Sequence, residues 1–393
     1  MGKFTRKSVL AVVLAAAVLF PGAAVAAPPP AAVDDHTRAT LLGSMSRQEV
    51  AAYLTGHGLD AGTVRNDVDL YLSRYWTTGA DGRPTTASAL TVLPRTGARS
   101  LRTVTWLHGT RVYRGDTASR SDNLDRAAAV LFAAGGDAVV APDYLGLGTG
   151  PGTHPYMLAR PTVTATVDAM RAGRAIAARS GRWLDREVLV SGFSQGGQAA
   201  MLVGRALRSS REFELGAVAA IAGPYDIRGE ELPAALDGRL DGVSAVVYLG
   251  YAITAWNRSQ KLYDTPSEAF RAPYDQVVDA LFDSDHQEAD VVRALPATPQ
   301  ELFTDAFLAR LAHPTGALAE VLAANDDPCR WRPRVPVRLY AGRADRDVVF
   351  ANAESCASDL RAHRARDVRV VDLGDLDHFG SARAALPAIA REW

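Results

Sequence analysis

Residues 187–191, Glu-Val-Leu-Val-Ser, read as a strand that runs into Gly192-Phe193-Ser194-Gln195-Gly196-Gly197 and then into a helical segment reaching residue 209. A serine flanked in this way at a strand-to-helix junction must turn sharply. The turn strains the serine backbone and lifts its hydroxyl above the end of the sheet. Gly192 and Gly196 stand where a Cβ would collide with the neighbouring strand or helix. The following helix also points the positive end of its dipole at the serine, which favours a negative oxygen there.

The rest of the chain repeats the strand–helix rhythm that such a turn needs beneath it. Short Val-, Leu- and Ile-rich runs at 101–107, 138–142, 187–190, 217–221, 335–340 and 368–373 predict strands. Ala-rich segments at 122–134, 161–180, 195–209, 351–364 and 383–391 predict the helices between them. Strands apolar on both faces and alternating with helices predict an α/β fold with a mostly parallel, doubly wound sheet. The rhythm stops over residues 228–332, where helical spacing and several prolines predict a helical lid or cap insertion. Residues 76–393 thus form the predicted catalytic domain, and 27–75 a linker followed by an amphipathic, helical N-terminal flank over 37–75. Gly146 to Gly152 reads as a flexible loop at the rim of the site; Pro151 stands where a dinucleotide-binding fingerprint needs glycine. Asp283 to Glu288 reads as a solvated acidic stretch, since Glu288 stands where a calcium loop needs its turn glycine.

Residues 1–26 have the order of a secretory signal peptide: Lys3, Arg6 and Lys7, an apolar run over 9–20, then Ala24-Val25-Ala26. Cleavage near Ala26 and secretion are expected. The apolar run falls short of the roughly 20 residues a bilayer span needs. No stable membrane span is predicted, and any contact with a lipid interface would be transient. The 393 residues carry 43 Lys+Arg against 44 Asp+Glu, a formal charge of −1 that cleavage makes more negative. That balance argues against a nucleic-acid partner, which requires a basic face. In an oxidising compartment Cys329 and Cys356 are expected to pair as one structural disulfide; neither belongs to a CxxC pair, which argues against a metal site.

A serine nucleophile needs a base and an acid, which on this type of sheet follow it in the order acid, then histidine. Only His286, His313, His363 and His378 follow Ser194. His286 and His313 fall in the insertion and His363 in an Arg-rich helix end. His378 lies in a loop after the strand at 368–373 and is the expected base. The acid should leave the strand at 335–340, where Gly342-Arg343-Ala344-Asp345-Arg346-Asp347-Val348 offers two carboxylates. Asp345, on the turn itself, is preferred to Asp347; Asp375 and Asp377 are too near His378 in the chain. The amide of Gln195, the residue after the nucleophile, supplies one oxyanion donor. Thr110, in His108-Gly109-Thr110 after the strand at 101–107, supplies the second, with Gly109 permitting close approach and His108 shaping the loop.

Together HGT (108–110), APDYLGLG (141–148), HPY (154–156), GFSQGG (192–197) and GRADRDV (342–348) resemble the secreted α/β-hydrolases of the lipase and esterase type, specifically bacterial relatives of the fungal secretory lipases. The resemblance covers residues from about 101 to the C-terminus. It implies an α/β-hydrolase fold and a lid at 228–332 that shapes the acyl pocket. It implies a small-molecule or lipid ester as substrate, and no metal or organic cofactor. The expected reaction is ester hydrolysis through an acyl-enzyme. A serine peptidase or acyltransferase on the same fold, and a non-catalytic binding protein on a hydrolase scaffold, are the competing readings. The sequence leaves the acyl length and the oligomeric state open.

Overall fold

A computed structural model of the chain describes residues 37–393. The expected signal peptide and the first part of the linker lie outside the described residues. Among those residues nine strands form one sheet: β1 (Arg38–Met45), β2 (Asp67–Thr78), β3 (Pro84–Arg95), β4 (Ser100–Leu107), β5 (Ala138–Pro142), β6 (Trp183–Phe193), β7 (Glu214–Ile221), β8 (Val337–Ala341) and β9 (Val368–Asp372). Their order is β1-β2-β3-β5-β4-β6-β7-β8-β9. The pairs from β1 to β5 are antiparallel, and every pair from β5 to β9 is parallel.

Helices cover both faces because alternate residues of the central strands are apolar on both sides. Leu189 and Ala219 face α1 (Arg47–Gly56), α2 (Leu124–Gly135) and the C-terminal helix His378–Glu392. Val188, Val190 and Val218 face α4 (Gln195–Leu207) and the helix Ala351–Ala362, while α3 (Ala159–Arg179) packs on Val140 and Leu101. The expected helical flank at 37–75 is corrected: it holds β1, the ten-residue α1 and most of β2. In β2, Val68 and Leu70 pack on one face and Tyr71 and Tyr75 on the other, so apolar residues of both parities erase the period-two signal. Within the Gly146 to Gly152 loop, residues 146–150 are packed, while Pro151 and Gly152 are exposed. Gly146 and Gly148 adopt φ of +74° and +60°, and a Cβ at either would strike the backbone of Thr153 and His154 or the side chain of Asp143.

Between β7 and β8 stand eight α-helices among the described residues: α5 (Leu232–Asp237), α6 (Gly242–Gln260), α7 (Pro266–Ala269), α8 (Val278–Leu281), α9 (Glu288–Ala294), α10 (Pro299–Leu302), α11 (Asp305–Ala312) and α12 (Gly316–Asn325). They enclose an apolar core of their own, with Tyr251, Phe282, Leu302 and Phe303 fully buried. Tyr156 and Met157, from the loop between β5 and α3, pack into it. Cys329 and Cys356 form a disulfide with Cα atoms 5.2 Å apart, tying the segment after α12 to the helix Ala351–Ala362, here α13. The C-terminal helix is α14. Among the described residues no helix is long and apolar enough to cross a membrane.

Candidate active site

Ser194 sits between the last residue of β6 and the first of α4 with φ 59° and ψ −122°, a conformation that only surrounding structure can hold. Its N–H donates to the Ile221 carbonyl at the end of β7 (2.9 Å), and its carbonyl accepts from Gly197 (2.8 Å). A Cβ at Gly196 would collide with the Leu107 carbonyl, and one at Gly192 with the Gly196 carbonyl, so the turn can close only with glycine at both places. Beside it, a Cβ at Gly109 would lie 3.3 Å from the Ser194 Cβ, which places the loop after β4 directly against the serine.

The turn after β8 presents Asp345, and the first residue of α14 presents His378. Both are buried, and the His378 Nδ1–H donates to Asp345 Oδ2 at 2.7 Å. The other carboxylate oxygen, Oδ1, accepts the N–H groups of Asp347 and Val348, each at 2.9 Å, which fixes the carboxyl plane. Gly342 packs so closely on Leu376 and Ser381 that a side chain would force the two loops apart. The His378 ring rests on that of Phe193, the residue before Ser194, with centroids 4.5 Å apart. Asp347 does not reach the histidine: its Oδ1 accepts from the Tyr248 hydroxyl of α6 at 2.9 Å. Asp377 caps α14 by accepting from Gly380. His363 is exposed and bonded to the carbonyl of Asp359, and His286 pairs with Asp283.

Ser194, Gln195 and Thr110 line one cavity whose walls come largely from the inserted helices. Leu249 and Ile253 of α6, Leu311 of α11 and Leu318 and Leu322 of α12 make those walls aliphatic. Gln195 opens the 13-residue α4, where the first amides have no partner within the helix. The Thr110 hydroxyl and the Tyr156 hydroxyl are 2.7 Å apart. His108 shapes its loop through the carbonyls of Gly109 (2.6 Å) and Asp143 (3.2 Å).

Three groups at this site were not legible in the sequence. Glu231, before α5, lines the cavity and is buried. Burial first, and repulsion by Asp345 second, push its carboxyl well above the usual range. Its Oε1 accepts from Val349 N–H (3.1 Å) and Asn352 Nδ2 (2.6 Å), so it braces the loop that carries Asp345. His154 lies 3.0 Å through Nε2 from the Gln195 side chain, and burial pushes its ring down to about 3. Tyr156 is the third. The HPY motif pointed to the last two without indicating what they touch.

Solved structures carry the same arrangement of chain. A hydrolase from Legionella pneumophila matches with a TM-score of 0.82 at 26% identity, over 90% of this chain and 96% of that one. The rice cell wall degrading esterase LipA from Xanthomonas oryzae matches with a TM-score of 0.81 at 26% identity, over 90% and 97%. The chain is an α/β-hydrolase of the lipase and esterase type. Candida antarctica lipase A in its closed state shares the fold at 13% identity and a TM-score of 0.61, over 86% of this chain and 77% of that one. No protein-family model and no curated protein matches the sequence. An α/β-hydrolase positions its chemistry at the ends of the parallel strands, and here β4, β6 and β8 lead into Thr110, Ser194 and Asp345 in turn.

Proposed function

We propose that this α/β-hydrolase is a secreted carboxylic ester hydrolase working through a Ser194, His378 and Asp345 triad. The observation that carries the reading is the buried His378–Asp345 pair at 2.7 Å, packed against Phe193, the residue before the strained Ser194, which itself lines an aliphatic cavity. Asp345 holds the proton on Nδ1 of His378 and leaves Nε2 as the base. His378 takes the Ser194 proton as the oxygen attacks the ester carbonyl, and the Thr110 and Gln195 amides receive the oxyanion. The proton passes to the departing alkoxide, the alcohol leaves, and an acyl-Ser194 ester remains. A water, deprotonated by His378, releases the acid and restores the serine. The helices from α5 to α12 act as the lid, and their aliphatic walls suit an acyl chain. Kinship with the LipA esterase and with lipase A supports an ester rather than an amide substrate. The signal-like N-terminus and the disulfide support export with cleavage near Ala26.

The test is a series of p-nitrophenyl esters from acetate to palmitate beside a panel of p-nitroanilide peptides, with Ser194→Ala as control. Ester turnover that disappears in the variant is the expected result, and its maximum along the series gives the acyl length. Anilide cleavage without ester turnover would establish a peptidase in its place.

A further inference from the structure

The HPY segment takes no part in the chemistry above, yet both of its aromatic residues are buried at the site. His154 is only 1% exposed, and its Nδ1–H donates to the Leu145 carbonyl at 2.9 Å. With the proton held there and the ring neutral, Nε2 is an acceptor and receives the Gln195 Nε2–H at 3.0 Å. Two residues on, the Tyr156 hydroxyl bonds to that of Thr110 at 2.7 Å. One short segment therefore grips, by their side chains, both residues whose backbone amides serve as oxyanion donors.

The segment is itself anchored from several sides. The His154 ring stacks on Tyr144 at 11°, and its backbone N–H donates to Ser284 Oγ of the inserted region at 3.0 Å. Tyr156 stacks on Tyr251 of α6 at 3° and 4.3 Å, and its carbonyl accepts from Trp256 Nε1 at 3.1 Å. Thr110 needs such a fixture. It lies in the irregular loop between β4 and α2, whereas an oxyanion donor contributes only if it is aimed at the charge before the charge develops.

We propose that His154 and Tyr156 are positioning residues for the oxyanion hole, each fixing through a side-chain hydrogen bond the residue that lends its backbone N–H. The inference rests on the ester-hydrolase reading and assigns the HPY motif a role in transition-state stabilisation rather than in substrate binding.

Steady-state kinetics on p-nitrophenyl butyrate test it, with Tyr156→Phe, Thr110→Val, the double variant and Thr110→Ser, each checked for thermal unfolding. Removing an oxyanion donor costs about 100- to 1,000-fold, and loosening one should cost less. The expected result is a fall in kcat of roughly tenfold in each single variant with KM little changed. The double variant should be no worse than either single one, because both remove the same bond. Thr110→Ser, which keeps the hydroxyl, should recover most of the loss in Thr110→Val. His154→Gln, which retains an acceptor near the Nε2 position, should keep more kcat than His154→Phe. Wild-type kcat in Tyr156→Phe, a loss confined to KM, or fully additive losses in the double variant would overturn the inference while leaving the enzyme an esterase. If Tyr156→Phe fails to fold, Thr110→Val and its rescue by serine carry the test. Wild-type protein that neither hydrolyses the ester nor takes a fluorophosphonate label at Ser194 would overturn the ester reading and this inference together.

Discussion

Asp345 and Asp347 stand on the same turn after β8, and their hydrogen bonds set them apart. Asp345 faces His378, whereas Asp347 accepts from Tyr248 and forms part of the cavity wall. Asp345→Asn should lower kcat on p-nitrophenyl esters by on the order of 10⁴-fold, because the amide favours the wrong imidazole tautomer. Asp347→Asn should cost no more than one hydrogen bond, about 0.5–1.5 kcal/mol. The opposite ranking of the two variants would make Asp347 the acid. Glu231 yields a prediction about pH. Its folded carboxyl keeps the proton above the ordinary value of 4.5, so beyond that pH the unfolded chain ionises while the folded one stays neutral. Wild-type stability is therefore lost as pH rises toward the folded value, at up to about 1.4 kcal/mol per pH unit. Glu231→Gln keeps the carbonyl acceptor for Val349 and Asn352 and removes this titration. In urea unfolding its stability relative to wild type should rise between pH 4.5 and neutrality, starting from the carboxyl's ordinary value. A difference independent of pH would mean that Glu231 is ionised in the folded protein.

At the level of elements, α6 does more than any other helix of the insertion. It supplies Tyr248 to Asp347, Tyr251 to the ring stack on Tyr156, and Leu249, Ala252 and Ile253 to the cavity wall. Ala252→Trp should narrow the cavity and move ester preference toward shorter chains. The ratio of kcat/KM for palmitate to that for acetate should fall roughly tenfold or more, since even one methylene in an apolar pocket is worth about 1–3 kcal/mol. An unchanged ratio would place the acyl chain elsewhere. The element missed in the sequence is instructive beside this one. The β2–β3 hairpin carries an Asp81-Gly82 turn signal, with Gly82 at φ +81°, but β2 is apolar on both faces and its period-two pattern is lost.

For the whole molecule, the inserted helices are held to the sheet by contacts far apart in the chain. Arg114, before α2, pairs with Asp285 and donates to the carbonyls of Gly150 and Gly152. Asp326, after α12, accepts from the N–H groups of Ile227 and Arg228 at the other end of the insertion. Just beyond, the Cys329–Cys356 disulfide joins the same region to α13. Reducing that bond, or replacing both cysteines by serine, should lower stability by about 2–4 kcal/mol in denaturant unfolding. Two free thiols titrating in the folded, unreduced protein would refute the pairing.

The sequence alone pointed to Ser194 and His378 and to the alternation of strands and helices. Each depends on neighbours a few residues away: glycines at fixed offsets from Ser194, and His378 following an apolar strand in chain order. It offered two aspartates for the acid and preferred Asp345 by its place on the turn; the tertiary structure adds the bond from His378 to Asp345, between residues 33 positions apart. Tertiary structure likewise decided the grip of His154 and Tyr156 on Gln195 and Thr110, the burial of Glu231 and the aliphatic cavity. These depend on burial and on hydrogen bonds across packed loops, and a buried glutamate is written in the chain with the same letter as an exposed one.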